Sequence, residues 1–339
     1  MKLRLIIASN DTDYVEHLSD YLSDRYADSF EVVVVSQQER FKELLKTSVF
    51  DISLIESSFT SISELNAIRM SLVLTDETDN ISSTANTAAN IKHIRKYQRI
   101  SAIVGDVFET FAGVAPGASG FGGEHGCITV VWSPSGGVGK TAIALAYAAK
   151  SASAGKHTIY LNLENFASTS AYFRTEGKSI SKAFESLDSK ESNIRVLMMG
   201  LRQQDSATGI YYFNEPENYD DINILAPDDI EALTFACAVE SDEIIIDLSS
   251  QYNACTSRLF ELANNILIVA DPSTTSQIKL RQFIRQHNAF GRIKTKTTLV
   301  NNKGAKTAES EIYKTVYLPY VQTSDHTAVF RALSGNSFE

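Results

Sequence analysis

Between Ser133 and Ala142 the chain reads SPSGGVGKTA, with Gly136, Gly137 and Gly139 leading directly into Lys140 and Thr141. Glycines at this density let successive backbone N–H groups turn inward and converge on the oxygens of an anion. A helix starting at Lys140 adds its positive N-terminal end to the same spot. For a nucleotide, Lys140 reaches the β- and γ-phosphates and the Thr141 hydroxyl ligates Mg2+. Ser135, Gly136, Gly137, Val138, Gly139, Lys140, Thr141 and Ala142 therefore form the candidate cradle for ATP. The start of the loop is unusual, because Pro134 and Ser135 stand where such loops carry Gly and, in one branch, a second Lys. A plain glycine-rich turn is the competing reading, but the apolar VVW before it and the alanine-rich TAIALAYAAK after it fit a nucleotide loop.

Further polar residues close the apolar runs that follow. Asp247 ends EIIID and fits a Walker B carboxylate holding Mg2+ through water, or an ordinary strand-terminal acid. In LNLEN, Asn162 and Glu164 follow the helix after the loop. Glu164 is suited to orienting or deprotonating an attacking water, although a solvated loop acid would look the same. Asn301, in LVNN, offers its amide to an adenine edge, and Asn equally favours turns. Lys140 and Glu164 are thus the candidate catalytic residues, and Thr141 and Asp247 the candidate metal ligands.

These residues need a sheet whose strand ends meet. Residues 1 to 110 alternate apolar runs (LRLIIAS, FEVVVV, DISLIES, SLVLTD) with helical patterns around Val15, Leu18 and Leu22 and near Phe41 to Leu45. Such alternation implies βαβ units and a parallel sheet. Residues 111–126, rich in Gly and Ala, read as a linker. From residue 127 to 339 a second series begins with CITVVWS and continues through HTIYLNLEN, INILAPDD, DEIIIDLSS, NILIVADP and TKTTLVNN. Ligands of open parallel sheets sit at the carboxyl ends of the strands, where these polar residues fall.

Composition narrows the partners. The 339 residues favour two domains, and an apolar content of 43% lets each bury a core. A net charge of −10 opposes sequence-independent binding to DNA, and no specific nucleic-acid partner is expected. Cys127, Cys237 and Cys255 lack metal-ligand or CxxC spacing and read as buried thiols of a reducing compartment. With no leader pattern and no apolar run near the roughly 20 residues that span a bilayer, a cytoplasmic protein is expected.

The motifs SGGVGKTA, LNLEN, IIIDLSS, LVNN and LPYV occur in the order and spacing of the MinD/ParA class of deviant Walker ATPases, which residues 127 to 339 resemble. The preceding receiver-like stretch and KYQRISAIVGDVFETF resemble the TadZ/CpaE branch, the localisation factors of Tad (Flp-type) pilus assembly. The resemblance implies an α/β fold of two doubly wound parallel-sheet domains, one receiver-like (flavodoxin-like) and one a MinD-like P-loop NTPase. It also implies a nucleotide contact at Pro319 of LPYV, an ATP-stabilised homodimer, and residence at a cell pole. The implied partners are the pilus secretion ATPase and polar landmark proteins. In MinD-like proteins a Lys at the position of Ser135 crosses to the other subunit's nucleotide. Ser135 is too short and uncharged, so binding without rapid hydrolysis is expected. Asn162 and Glu164, in place of two Asp residues of the family, push the same way.

A working receiver needs an acidic pair, an acceptor Asp, and Thr/Ser with Lys. Here Ser9 and Asn10, followed by Asp11, stand for the pair, Glu56 for the acceptor, and Thr75 and Lys96 for the rest. Glu56 either mimics a phosphorylated Asp held by Lys96 or is one acid of a degenerate docking module; no phosphotransfer is expected. Two other functions remain open: a ParA-like ATPase for DNA segregation or another cargo, and a P-loop enzyme of small-molecule phosphoryl transfer.

Overall fold

A computed structural model describes residues 2–27, 29–60, 65, 68–76, 91–114, 126–189, 193–304, 312–323, 325–336 and 338. The chain forms two compact units, Met1–Ala118 with Glu191–Gly200, and Ser119–Lys190 with Leu201–Glu339. Both are α/β with sheets that are parallel apart from one edge pair, as the alternating pattern requires.

In the first unit, β1 (Leu3–Ala8), β2 (Phe30–Val35), β3 (Ile52–Glu56), β4 (Met70–Thr75) and β5 (Ile91–Arg95) lie in the order β2-β1-β3-β4-β5. This is a doubly wound order that reverses between β1 and β3. Helix α1 (Thr12–Arg25) buries Val15, Leu18 and Leu22, and the Asp11 carboxylate caps it by accepting the Tyr14 N–H at 3.1 Å. α2 (Gln38–Thr47) follows β2. α3 (Ile100–Val114) buries Phe111 and Ala112, so the helix continues into the stretch expected as linker (111–126). Residues 115–125 of that stretch lie outside the described residues. A segment distant in sequence completes this core. Within α6 (Ile194–Leu201), Met199 and Val196 pack into it, and Asn193 N–H bonds Ala112 O at 2.8 Å. Gly200 is required there, since a Cβ would come 2.1 Å from Phe108 Cβ.

The second unit carries β6 (Cys127–Trp132), β7 (Thr158–Leu163), β8 (Arg202–Gln204), β9 (Tyr211–Phe213), β10 (Glu243–Leu248), β11 (Asn265–Ala270), β12 (Thr297–Asn301) and β13 (Thr315–Tyr317). Their order is β13-β12-β11-β6-β10-β7-β9-β8, antiparallel only at β8–β9. Strands covered on both faces read as unbroken apolar runs, as in β10 and β11. α4 (Lys140–Ser153) is rich in alanine, which lets it lie close to the sheet with Ile143, Leu145, Ala144, Ala146 and Ala148 buried. The remaining helices are α5 (Ser181–Ser189), α7 (Pro227–Ala238), α8 (Ala254–Leu262), α9 (Thr274–Ile284), α10 (His287–Ile293) and α11 (His326–Ser334).

Two expectations are corrected. INILAPDD is a turn into α7, not a strand end: Asn223 N–H bonds Asp220 O, Pro227 opens the helix, and the Asp229 carboxylate holds the Ala226 N–H at 2.9 Å. Of the cysteines only Cys237 is fully buried; Cys127 and Cys255 are half-buried, at a strand start and a helix start, and all three are free. Among the described residues no helix is long and apolar enough to cross a membrane.

Candidate functional site

The strand order of the second unit reverses at β6, and the glycine loop leaves the carboxyl end of that strand. Ser133 starts the turn by accepting the Ser135 N–H at 3.1 Å. Gly137 (φ +74°) and Gly139 (φ +96°) take left-handed conformations that L side chains rarely adopt. Gly139 is the N-cap of α4 and contributes no capping side chain, which leaves first-turn N–H groups for an anion. Ser135 is buried, and Val138 packs into the core, so Val138 meets any ligand through its backbone alone. Gly136 and Gly137 are exposed; Thr141 and Ala142 are half-buried in the first turn of α4.

Lys140 is 7% exposed, and its Nζ lies 3.4 Å from Glu164 Oε1. Glu164 follows β7, where the Asn162 side-chain oxygen accepts the Glu164 N–H at 2.8 Å and shapes the turn. Tyr160 and Asn162 share one face of β7, and Asp247 pairs with Asn162 in the register of β10 against β7. A chain of side chains results: Asn162 Nδ2 donates to Tyr160 Oη (3.1 Å), and Tyr160 Oη donates to Asp247 Oδ2 (3.0 Å). Asp247 is fully enclosed, and its Oδ1 has no hydrogen-bond partner among the described residues. Burial, reinforced by the Glu164 charge, pushes the Asp247 carboxyl up to about 7, against the Thr141 hydroxyl, the Lys140 ammonium and Tyr160. Just beyond β10 the buried Ser250 hydroxyl also lacks a partner among the described residues. An orphaned hard oxygen beside a threonine hydroxyl and a lysine fits a Mg2+–phosphate group, since Mg2+ prefers oxygen donors and keeps waters.

Asn301 is fully buried at the end of β12, where its carbonyl takes the Leu318 N–H at 2.9 Å. Pro319, next in the chain, is exposed. Asn302 and Lys303, directly after Asn301 in the chain, bond the loop itself. Asn302 Nδ2 donates to Val138 O (2.8 Å), and Lys303 Nζ donates to Gly137 O (3.0 Å) while pairing with Asp271 at 3.2 Å. The sequence reading missed Asn302, Lys303, Tyr160 and Asp271. The only signal was a polar NNKG turn directly after an apolar run and a tyrosine two residues before Asn162.

In the first unit, Lys96, just past β5, bonds Glu56 Oε1 at 2.7 Å and Asp11 Oδ2 at 2.9 Å. The other Glu56 oxygen accepts the Asn10 N–H (2.9 Å), while Asn10 Nδ2 reaches Ser58 Oγ (3.2 Å). Ser9 is buried and accepts the Asp11 N–H. The Thr75 hydroxyl donates to Ile94 O at 3.1 Å. Tyr14 and Tyr97 each set a ring 5.0 Å from the Lys96 ammonium.

No family model matches the chain, and no curated protein matches it. Solved structures do. A ParA family ATPase from Chlorobium tepidum TLS aligns at 18% identity over 61% of this chain and 90% of that chain, with a TM-score of 0.50. The cell division ATPase MinD of Pyrococcus furiosus aligns at 12% identity, over 62% and 97%, with a TM-score of 0.46. Cobyrinic acid a,c-diamide synthase of Mycobacterium smegmatis, with bound ATP analog and magnesium, aligns at 15%, over 62% and 93%, with a TM-score of 0.45. At such identities the likeness is one of fold, and 61% of the chain shares the α/β fold of a ParA family ATPase.

Proposed function

We propose that this chain is an ATP-binding localisation factor of the TadZ/CpaE type, whose nucleotide-bound homodimer occupies a cell pole and recruits the Tad pilus machinery. In this reading residues 1–110 dock partners, residues 127–339 bind nucleotide, and the partners are the pilus secretion ATPase and polar landmark proteins. The observation that carries nucleotide binding is Asp247 Oδ1, a buried carboxylate oxygen without a hydrogen-bond partner among the described residues, on the strand paired with the one that leads into the glycine loop.

ATP binding then exchanges one anion for another. Lys140, paired in the free protein with Glu164, would hold the phosphates together with the N–H groups of residues 136 to 140. Thr141 and Asp247 would hold Mg2+, which supplies charge neutralisation between the phosphates. Glu164, released from Lys140 and steadied by Asn162, orients the attacking water and accepts its proton. With Ser135 in place of a second cation, turnover is slow and the bound state persists. By the resemblance, Pro319 and Asn301 would contact the base; Asn301 is fully buried and Pro319 exposed.

Calorimetric titration tests the reading: Lys140→Ala should bind no ATP, because the cradle would face several negative charges without its cation. In cells, a labelled Lys140→Ala protein should lose its polar focus, and the cells their pili. Tight ATP binding by that variant would sink the assignment of the loop. One observation favours a second reading, a ParA-like DNA-segregation ATPase. Lys279, Arg281 and Arg285 are exposed on α9 and at its end, and no acid occurs between Asp271 and Glu309. A gel shift with duplex DNA at physiological salt, with and without ATP, separates the two.

A further inference from the structure

Two consecutive residues past β12 take hold of two consecutive carbonyls of the glycine loop. Asn302, 5% exposed, donates its amide to Val138 O at 2.8 Å, and Lys303 donates its ammonium to Gly137 O at 3.0 Å. The approach is close enough that a Cβ on Gly139 would come 2.5 Å from Asn302 Nδ2. Lys303 holds φ +57°, the only non-glycine positive φ among the described residues. A residue stays in that left-handed region only when its surroundings over-determine it. The surroundings are visible: Lys303 N–H bonds Asn302 Oδ1 (2.9 Å), and Gly304 N–H bonds Leu318 O (2.9 Å). Asp271 Oδ2 takes the ammonium at 3.2 Å, while its Oδ1 is fixed by the Ser273 N–H and hydroxyl. Burial would push the Asp271 carboxyl up, but the Ser273 and Lys303 bonds outweigh it and hold it below the usual carboxylate range.

The planar trans peptide converts this outer grip into an inner effect. In each peptide unit the carbonyl and the following N–H point in opposite directions. A Gly137 carbonyl drawn out to Lys303 turns the Val138 N–H the other way, and a Val138 carbonyl drawn out to Asn302 does the same to the Gly139 N–H. Neither N–H has a hydrogen-bond partner among the described residues. A cation on a carbonyl also polarises the peptide and strengthens its N–H as a donor.

We propose that Asn302 and Lys303 are positioning residues of the phosphate loop, and that Lys303 lends its charge to the phosphates of a bound nucleotide through the Gly137–Val138 peptide of its own chain. This rests on the reading that the loop binds ATP. It supplies from within one subunit part of the positive potential that Ser135 cannot provide.

The test is titration of Mg·ATP and Mg·ADP into the full chain and into Lys303→Met, Lys303→Arg, Asn302→Ala and Lys140→Ala, with the melting temperature of each free protein. Losing a charged donor that acts on the phosphates should weaken both nucleotides roughly tenfold in Lys303→Met, while Lys303→Arg recovers to within about threefold of wild type. Lys303→Met leaves Asp271 without its cation and should melt below Lys303→Arg; adding Asp271→Asn to Lys303→Met should restore the melting temperature without restoring affinity, and Asn302→Ala should also lose affinity. Should Lys303→Met not fold, Lys303→Gln makes the same comparison. If Lys140→Ala abolishes binding and Lys303→Met binds as wild type does, the role of Lys303 is overturned and the ATP reading stands. If Lys303→Met and Lys303→Arg lose affinity equally, in step with their melting temperatures, the role is only structural and the proposal fails. If Lys140→Ala binds normally, both fall.

Discussion

Asp247 sits at the meeting point of two demands, burial and charge. Its ordinary value is 3.8, and enclosure with Glu164 nearby moves it up to about 7. A carboxyl raised in the folded state favours folding while it is protonated. The stability it gives is fully present below its unfolded value and is lost as pH rises through about 7. The free wild-type protein should therefore lose melting temperature relative to Asp247→Asn between pH 5.5 and 8. Parallel melting curves across that range would contradict it. Mg·ATP, which needs the ionised carboxylate, should bind more tightly at pH 8 than at pH 6. The glycines, Lys140, Thr141 and Asp247 were legible in the sequence because their chemistry depends on residue type at fixed spacing from a strand. Tyr160 was not, since an aromatic in an apolar run looks like core until the register sets it against Asp247. Asn302 and Lys303 were hidden for another reason: their grip on the loop spans 164 and 166 residues of sequence.

At the scale of elements, three strand ends of the first unit are tied by one ammonium. Lys96 past β5 holds Glu56 at the end of β3 and Asp11 past β1, with side chains 7%, 16% and 35% exposed respectively. Burial would raise the Glu56 carboxyl, but Lys96, Asn10 and Ser9 outweigh it and hold it below its usual range. Asp11 is lowered chiefly by Lys96. Stability from depressed carboxyls is present above their unfolded values and is lost as pH falls through the folded ones. Removing one partner of a buried ion pair leaves uncompensated charge, so Lys96→Met should cost the first unit about 3 kcal/mol at pH 7, the low end for such pairs because Asp11 is partly solvated. Urea unfolding at pH 7 and pH 4 checks this: the cost should shrink at pH 4, and an equal cost at both would show the lysine acting by packing. The sequence located these side chains by the alternation of strands and helices, yet left Glu56 open between mimic and solvated acid. It also placed α6 with the nucleotide-binding series, because nothing local to NIRVLMMGL says which of two cores its apolar face will fill.

At the scale of the whole molecule the deciding residue for the proposed dimer is Ser135, which stands where the MinD class it resembles carries a lysine that crosses between subunits. The serine is 7% exposed, and its N–H is already committed to Ser133. A hydroxyl donates one hydrogen bond and neutralises nothing, so Ser135→Ala should weaken ATP binding by only about 0.5–1.5 kcal/mol. Ser135→Lys is the sharper change. If two subunits meet across their glycine loops, the added ammonium has the exposed Gly136–Gly137 side by which to leave the loop and reach the opposite phosphates. There it should raise turnover well above wild type, as a cation supplied to a transferring phosphate does. It should also strengthen self-association with ATP more than with ADP, because a ligand shifts an assembly only by its differential affinity for the assembled state. Phosphate release and sedimentation velocity, measured over the same protein concentrations, read the two effects together. Turnover that rises without any change in association would place the new lysine over its own nucleotide. No change in either would mean that the subunits meet through another surface. Rapid turnover by the wild type that Ser135→Ala eliminates would overturn the account of this loop as one built to bind and hold.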